Sequence, residues 1–209
     1  MEDVLEVYER AYDPKRPVVC MDELSKQLTK ETRQPIPACV GRVEKYDTEY
    51  ERNGTANIFL YIEPLTARFV TKVTAQRTKP DWATTIKTLV DEQYSDVEKI
   101  ILIMDNLNAH TGASLYETFE PKEARRLLDK LEIHYTPKHG SWLNIAEIGL
   151  SILSGQCLDR RIPDMHTLTD EVTAWTEQIN RAHKKINWQF TTADARIHLK
   201  RLYPTILTL

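Results

Sequence analysis

The run Ile100-Ile101-Leu102-Ile103-Met104 leaves this chain few options. An uninterrupted apolar stretch of that length, rich in Ile, reads as a buried strand, and Asp105 directly after it falls at the rim of a sheet. Val18-Val19-Cys20-Met21 stands in the same relation to Asp22. Open α/β sheets bind ligands outside the carboxyl ends of their strands, so the two aspartates are expected to face one crevice. Glu147, early in the helical stretch opened by Ser141-Trp142-Leu143-Asn144, is placed to bring a third carboxylate there. The three are expected to converge as ligands for a divalent cation, which suits phosphoryl transfer. Each acid also has an ordinary reading. Asp after a strand caps a helix or makes a turn, and a lone helical Glu is solvated or paired with a nearby Lys or Arg.

The order of elements supports the same sheet. Glu2 to Arg10 reads as a short helix, and the proline-bounded Asp13 to Pro17 leads into a first strand ending near Met21. A long polar stretch with Pro35 and Pro37 follows, then Asn53-Gly54, a strong hairpin signal, and the strand Asn57 to Glu63. Pro64-Leu65-Thr66 turns the chain into a strand from Arg68 to Ala75. Asp81 is positioned to cap a helix with Trp82, Ile86, Leu89 and Val90 at helical spacing. After the strand ending at Asp105 come a helix from about Pro121 to Leu131, a strand from Glu132 to Tyr135, and the Glu147 helix with Ser141 as its N-cap. Leu143, Leu150 and Ser154 share a face with Glu147. Leu168, Val172, Trp175 and Ile179 mark a last amphipathic helix. This is the ribonuclease-H-like order: an α/β fold whose mixed sheet has three antiparallel strands, then parallel ones, flanked by helices. The expected division is an N-terminal helix and linker over 1–16, a core domain over 17–160 and a helical appendage over 161–209.

Composition narrows the class further. A hydrophobic fraction of 41% supports a real core. No apolar run approaches the length of a bilayer span, and no signal-peptide pattern opens the chain. Cys20, Cys39 and Cys157 are odd in number and widely spaced, as buried or incidental thiols in a reducing, cytoplasmic compartment would be. With 28 basic and 31 acidic residues the net charge is -3, so any affinity for nucleic acid must come from local clusters. Two stand out: Lys122, Arg125, Arg126, Lys130 and Lys138, and the tail group Arg181, His183, Lys184, Lys185, Arg196, His198, Lys200 and Arg201. Each serves equally as a phosphate track or a solvated helix face.

Three strings carry a resemblance. Cys20-Met21-Asp22-Glu23, Met104-Asp105-Asn106-Leu107-Asn108-Ala109-His110, and the long stretch from His134 to Glu147 containing Thr136-Pro137-Lys138-His139-Gly140-Ser141-Trp142-Leu143-Asn144 resemble, in order, the three acidic motifs of the IS630 branch of the IS630/Tc1/mariner transposases. These are DDE superfamily endonucleases. Trp188 to Arg196 resembles the close of the same subgroup, where a small helical appendage is expected.

The resemblance implies that the strands of Asp22 and Asp105 are parallel neighbours at the sheet centre. It also implies that Asp22, Asp105 and Glu147 are catalytic residues holding two Mg²⁺ ions, with Mn²⁺ as substitute. Asp22 would bridge both ions, and no covalent protein–DNA intermediate would form. Asn106, His110, Lys138 and His139 travel with the motifs as expected DNA or water contacts, though a core or capping role is equally open to Asn106 and His110. Trp142 and Trp188 read as core anchors. The implied partners are DNA, both transposon ends and target, and a second copy of the chain, in a prokaryotic cytoplasm at the nucleoid. The helix around Pro121 to Leu131 reads as a local insertion between the second and third acids. Nothing before Asp22 is long enough for the helix-turn-helix region that members of this family carry, so a catalytic half, with end recognition supplied by a separate helix-turn-helix protein or reading frame, is expected. The alternative is a truncated regulatory fragment that binds and inhibits a full-length partner. A cellular ribonuclease-H-like nuclease is a further reading, against which the Lys138 to Asn144 string argues.

Overall fold

The computed structural model describes residues 1–183, 185–186 and 188–203; Lys184 of the tail cluster lies outside the described residues. Five strands form one sheet: β1 (Val18–Glu31), β2 (Tyr50–Glu63), β3 (Arg68–Thr74), β4 (Ile100–Met104) and β5 (Leu131–Tyr135). Their order is β3-β2-β1-β4-β5. The first three are antiparallel, while β4 lies parallel to β1 and β5 parallel to β4. The expected mixed sheet, with the strands of Asp22 and Asp105 as parallel neighbours, is therefore present.

Central strands covered on both faces must be apolar throughout, and β4 is buried at every residue. One face packs on α1 (Glu2–Tyr8), α5 (Ala146–Leu153), α6 (Met165–Ala182) and α7 (Thr192–His198), through Leu5, Cys20, Leu60, Ile103, Leu153, Val172 and Ala195. The other packs on α2 (Lys79–Thr88), α3 (Gly112–Thr118) and α4 (Pro121–Asp129), through Met21, Phe59, Trp82, Leu102, Leu115 and Leu127. On the first face α6 also closes the outer edge of the sheet. Asn180 takes both backbone groups of Phe69, accepting from its N–H at 2.7 Å and donating to its carbonyl at 2.9 Å, as a neighbouring strand would.

Several local expectations are corrected. β1 does not end near Met21 but runs on to Glu31, because beyond Cys20 it leaves β4 while staying paired with β2. Asn53-Gly54 makes no hairpin turn. Gln27 pairs with Thr55 and Thr29 with Arg52, so Asn53 and Gly54 together oppose Leu28 in a bulge, and the turn lies in the 32–49 loop. Gly54 supplies the positive φ of 89° there. Thr78, not Asp81, is the N-cap of α2; Asp81 closes a capping box from the third helical position. The short α3 has no counterpart in the sequence reading. Trp142 is 43% exposed and is no core anchor, whereas Trp188 does pack on the core, beside Tyr8. Cys20 and Cys157 are buried and Cys39 is exposed. Among the described residues no helix is long and apolar enough to cross a membrane.

Candidate active site

Strand register brings the first two acids together. β4 pairs Val18 with Ile101 and Cys20 with Ile103, and continuing that register places Asp22 level with Asp105, just past the end of β4. Asp22 is thus at the point where β1 loses a neighbour, in the middle of its own strand. Side chains alternate along a strand, so Asp22, like Cys20, faces the side covered by α5. Glu147 is on that helix.

What holds α5 in place is Asn144. Its side chain is 1% exposed, donates to the Met21 carbonyl at 2.8 Å and accepts from the Ala146 amide at 3.1 Å, so one residue ties the helix start to the strand beside Asp22. Tyr8 adds a second tie, donating to the Leu143 carbonyl and accepting from the Ile145 amide. Ser141 opens a short 3₁₀ turn instead of capping α5, and Glu147 falls in the first turn of the helix rather than the second. Close packing continues at Gly149, where an added Cβ would come within 2.9 Å of Leu60. Asn144→Ala leaves the Met21 carbonyl and Ala146 amide without their partner and should cost about 1–3 kcal/mol. Urea unfolding reads that loss, and a cost near zero would mean that α5 is anchored by its apolar face alone.

The electrostatics are those of crowded acids. Burial pushes the Asp22 carboxyl up, the Glu23 amide bonded to it at 2.8 Å pulls it back in part, and the charges of Glu23, Asp105 and Glu147 raise it again, to about 7. Three hard-oxygen donors in mutual repulsion match Mg²⁺ or Mn²⁺ in chemistry and charge. Yet among the described residues no three His, Cys, Asp or Glu side chains stand close enough together to hold an ion as they are. The acids share one level and one end of the sheet, but the expected convergence to ligating distance is not present.

The other expected contacts separate into two groups. Asn106, Lys138 and His139 are exposed around the same end of the sheet. His139 adopts a positive φ of 63° in the tight turn before Gly140. His110 goes elsewhere: its side chain is 2% exposed, beyond the reach of a phosphate, with Nδ1 at 2.5 Å from Asp105 Oδ1. Glu23 and Asn144 stand inside the first and third acidic motifs, and the sequence assigns neither a role. Their neighbours in space come from distant segments, and local spacing carries no signal of them.

A mixed five-stranded sheet with helices on both faces and carboxylates from β1, the end of β4 and α5 at one end is an arrangement suited to a DDE-type nuclease core. Residues 17–169, well over half of the chain, match the family model of the DDE superfamily endonucleases, and the chain belongs to that family. Among solved structures, the Mos1 mariner paired end complex with Mn is similar at 15% identity and a TM-score of 0.54, over 86% of this chain and 55% of that one. The Mos1 strand transfer complex gives 14% identity and a TM-score of 0.56, over 88% and 52%. The paired end complex with Mg gives 14% and 0.54, over 85% and 53%. This chain spans about half the length of those transposase chains, and at such identities the likeness is one of fold. Comparison with curated proteins found no match.

Proposed function

We propose that this chain is the catalytic domain of a DNA transposase of the IS630 branch, cutting DNA at transposon ends and joining the freed 3′-hydroxyl to target DNA. The observation that carries the reading is the strand register, which sets Asp22 at the sheet centre level with Asp105, on the face covered by the helix that bears Glu147. Mos1 neighbours include paired end complexes, one with Mn, one with Mg and one with the left transposon end, which supports divalent metal and DNA as partners here.

Water attacks the scissile phosphorus, the P–O3′ bond breaks, and its electron pair leaves with the 3′ oxygen. The resulting hydroxyl then attacks a target phosphate by the same exchange. Asp22, Asp105 and Glu147 would hold the ions, a pair in this reading, whose Lewis-acid charge offsets that of the pentacoordinate phosphorus. Lys138 and His139, exposed ahead of α5, would hold a phosphate. The working unit in this reading is a homodimer. End recognition comes from a helix-turn-helix region, in the same or a separate chain. Such a domain acts on DNA in the cytoplasm, at the nucleoid.

The test is nicking of supercoiled DNA in Mn²⁺ at low salt. The wild-type chain should nick with little sequence preference, and binding should fall steeply as salt rises, because only local cations contact phosphates. Lys138→Ala should weaken binding several-fold and change the chemical step less. Equal cutting by the wild type and Asp105→Asn would overturn the reading. If the wild type is inert but suppresses a full-length transposase, the regulatory reading replaces it.

A further inference from the structure

Asp22 and Glu23 are consecutive in β1, so they point to opposite faces of the sheet. Asp22 stands opposite Leu60 on the α5 side, and Glu23 opposite Phe59 on the α2 side. The neighbours of Glu23 on that face, Met21, Phe59 and Tyr61, all belong to an apolar core. Its carboxylate is only 3% exposed, and a buried charge among such neighbours is costly unless it is paired. Packing therefore gives no reason for a glutamate there.

The pairing it has leads back to the active site. Glu23 Oε2 lies 3.3 Å from His110 Nε2, close enough for a charge contact though among the described residues that oxygen has no hydrogen-bond partner, and the other nitrogen of the same ring is hydrogen-bonded to Asp105 Oδ1 at 2.5 Å. The ring lies against Trp82, centroids 5.9 Å apart. Its backbone is held too: the His110 amide donates to the Leu107 carbonyl, and Tyr135 Oη donates to the His110 carbonyl at 2.9 Å. Behind Glu23, the half-exposed Arg77 approaches Oε1 at 3.6 Å. A line of polar contacts thus runs Arg77, Glu23, His110, Asp105, from the far face of the sheet around to its end. Asp105 sits beyond the last residue of β4, where no strand pairing fixes its side chain.

We propose that His110 and Glu23 are positioning residues for Asp105: His110 occupies Oδ1 and so turns Oδ2 toward the crevice, and Glu23 fixes the orientation of the ring that does this. Partners of this kind orient a ligating carboxylate and are typically worth about 10–100-fold in metal affinity. The inference rests on the proposed function, in that Asp105 is taken to hold a cation.

The experiment is titration calorimetry of the full chain with Mn²⁺ alone, with thermal unfolding in the absence of metal as a separate measure of the fold. His110→Leu removes the donor, His110→Asn keeps an N–H near the place of Nδ1, and Glu23→Gln changes charge without changing size. His110→Leu and Glu23→Gln should each weaken Mn²⁺ binding by about 10–100-fold, and His110→Asn should recover most of the loss. A merely structural role would lower the melting temperature and leave Mn²⁺ affinity untouched, as measured on whichever variants fold. Unchanged affinity in Glu23→Gln and His110→Leu, or no recovery in His110→Asn, would overturn the assignment while leaving the transposase reading intact. A wild type without an Mn²⁺ site that Asp105→Asn removes would overturn both.

Discussion

Asp22→Asn is expected to make the protein both inactive and more stable. Loss of activity follows from the proposed role: removing one charged ligand forfeits several kcal/mol of charge stabilisation at the phosphorus, about 10³-fold or more in nicking rate. Stability moves the other way. With its pKa near 7 in the folded chain against an ordinary value of 3.8, Asp22 keeps its proton on folding where the unfolded chain has released it. The folded state therefore binds more protons between those values, and its stability falls as pH rises from about 4 through about 7. Asn cannot ionise, and its oxygen can still accept the Glu23 amide, so the variant escapes that loss. Its advantage should be small near pH 4, grow with pH, and level off above about pH 7 at a few kcal/mol. Millimolar Mg²⁺ should restore the wild type and not the variant. Urea unfolding across this range checks the slope, and an advantage independent of pH would show that Asp22 ionises as an ordinary surface carboxylate does.

The second large effect concerns the other face. Trp82 is fully buried between α2 and the sheet and packs on the ring of His110. Trp82→Ala should cost about 3–5 kcal/mol, a large share of the 5–15 kcal/mol typical of a whole domain, and partial unfolding at 37 °C is the expected outcome. Trp82→Phe should cost much less. Among the described residues the indole N–H has no hydrogen-bond partner, so the smaller ring forfeits packing and no polar contact. Chemical denaturation of the two variants checks this, and similar losses for Phe and Ala would mean that the shape of the site, not its volume, sets the cost.

Much of the fold was legible along the chain because its strongest signals are local. Five apolar residues before Asp105 can only be a covered strand, and β4 is buried throughout. The helical spacing of Trp82, Ile86, Leu89 and Val90 likewise marks a face that is buried in full. Misreadings fell where a local signal has two tertiary uses. Asn-Gly favours positive φ, which serves a hairpin turn or a bulge, and only the pairing partner of Leu28 decides between them. Asp81 reads as a cap or as the third residue of a capping box, depending on whether Thr78 accepts its amide. Trp142 reads as core by its apolar mass, but nothing in its own neighbourhood says that the 3₁₀ turn leaves it half outside.

By itself the sequence determined where the core strands lie and which residue types stand at their ends, and it singled out Asp22, Asp105 and Glu147 as candidates for one site, since these readings rest on hydrophobic runs and short motifs. Only the tertiary structure decided how Asp105 is held. The contacts of Glu23 and Asn144 join residues up to 123 positions apart, from Met21 to Asn144. Which faces meet depends on strand register, and a shift of one residue would exchange the places of Asp22 and Glu23. That choice is made by burial of the whole sheet at once, with Met21, Phe59 and Trp82 on one side and Cys20, Leu60 and Leu153 on the other.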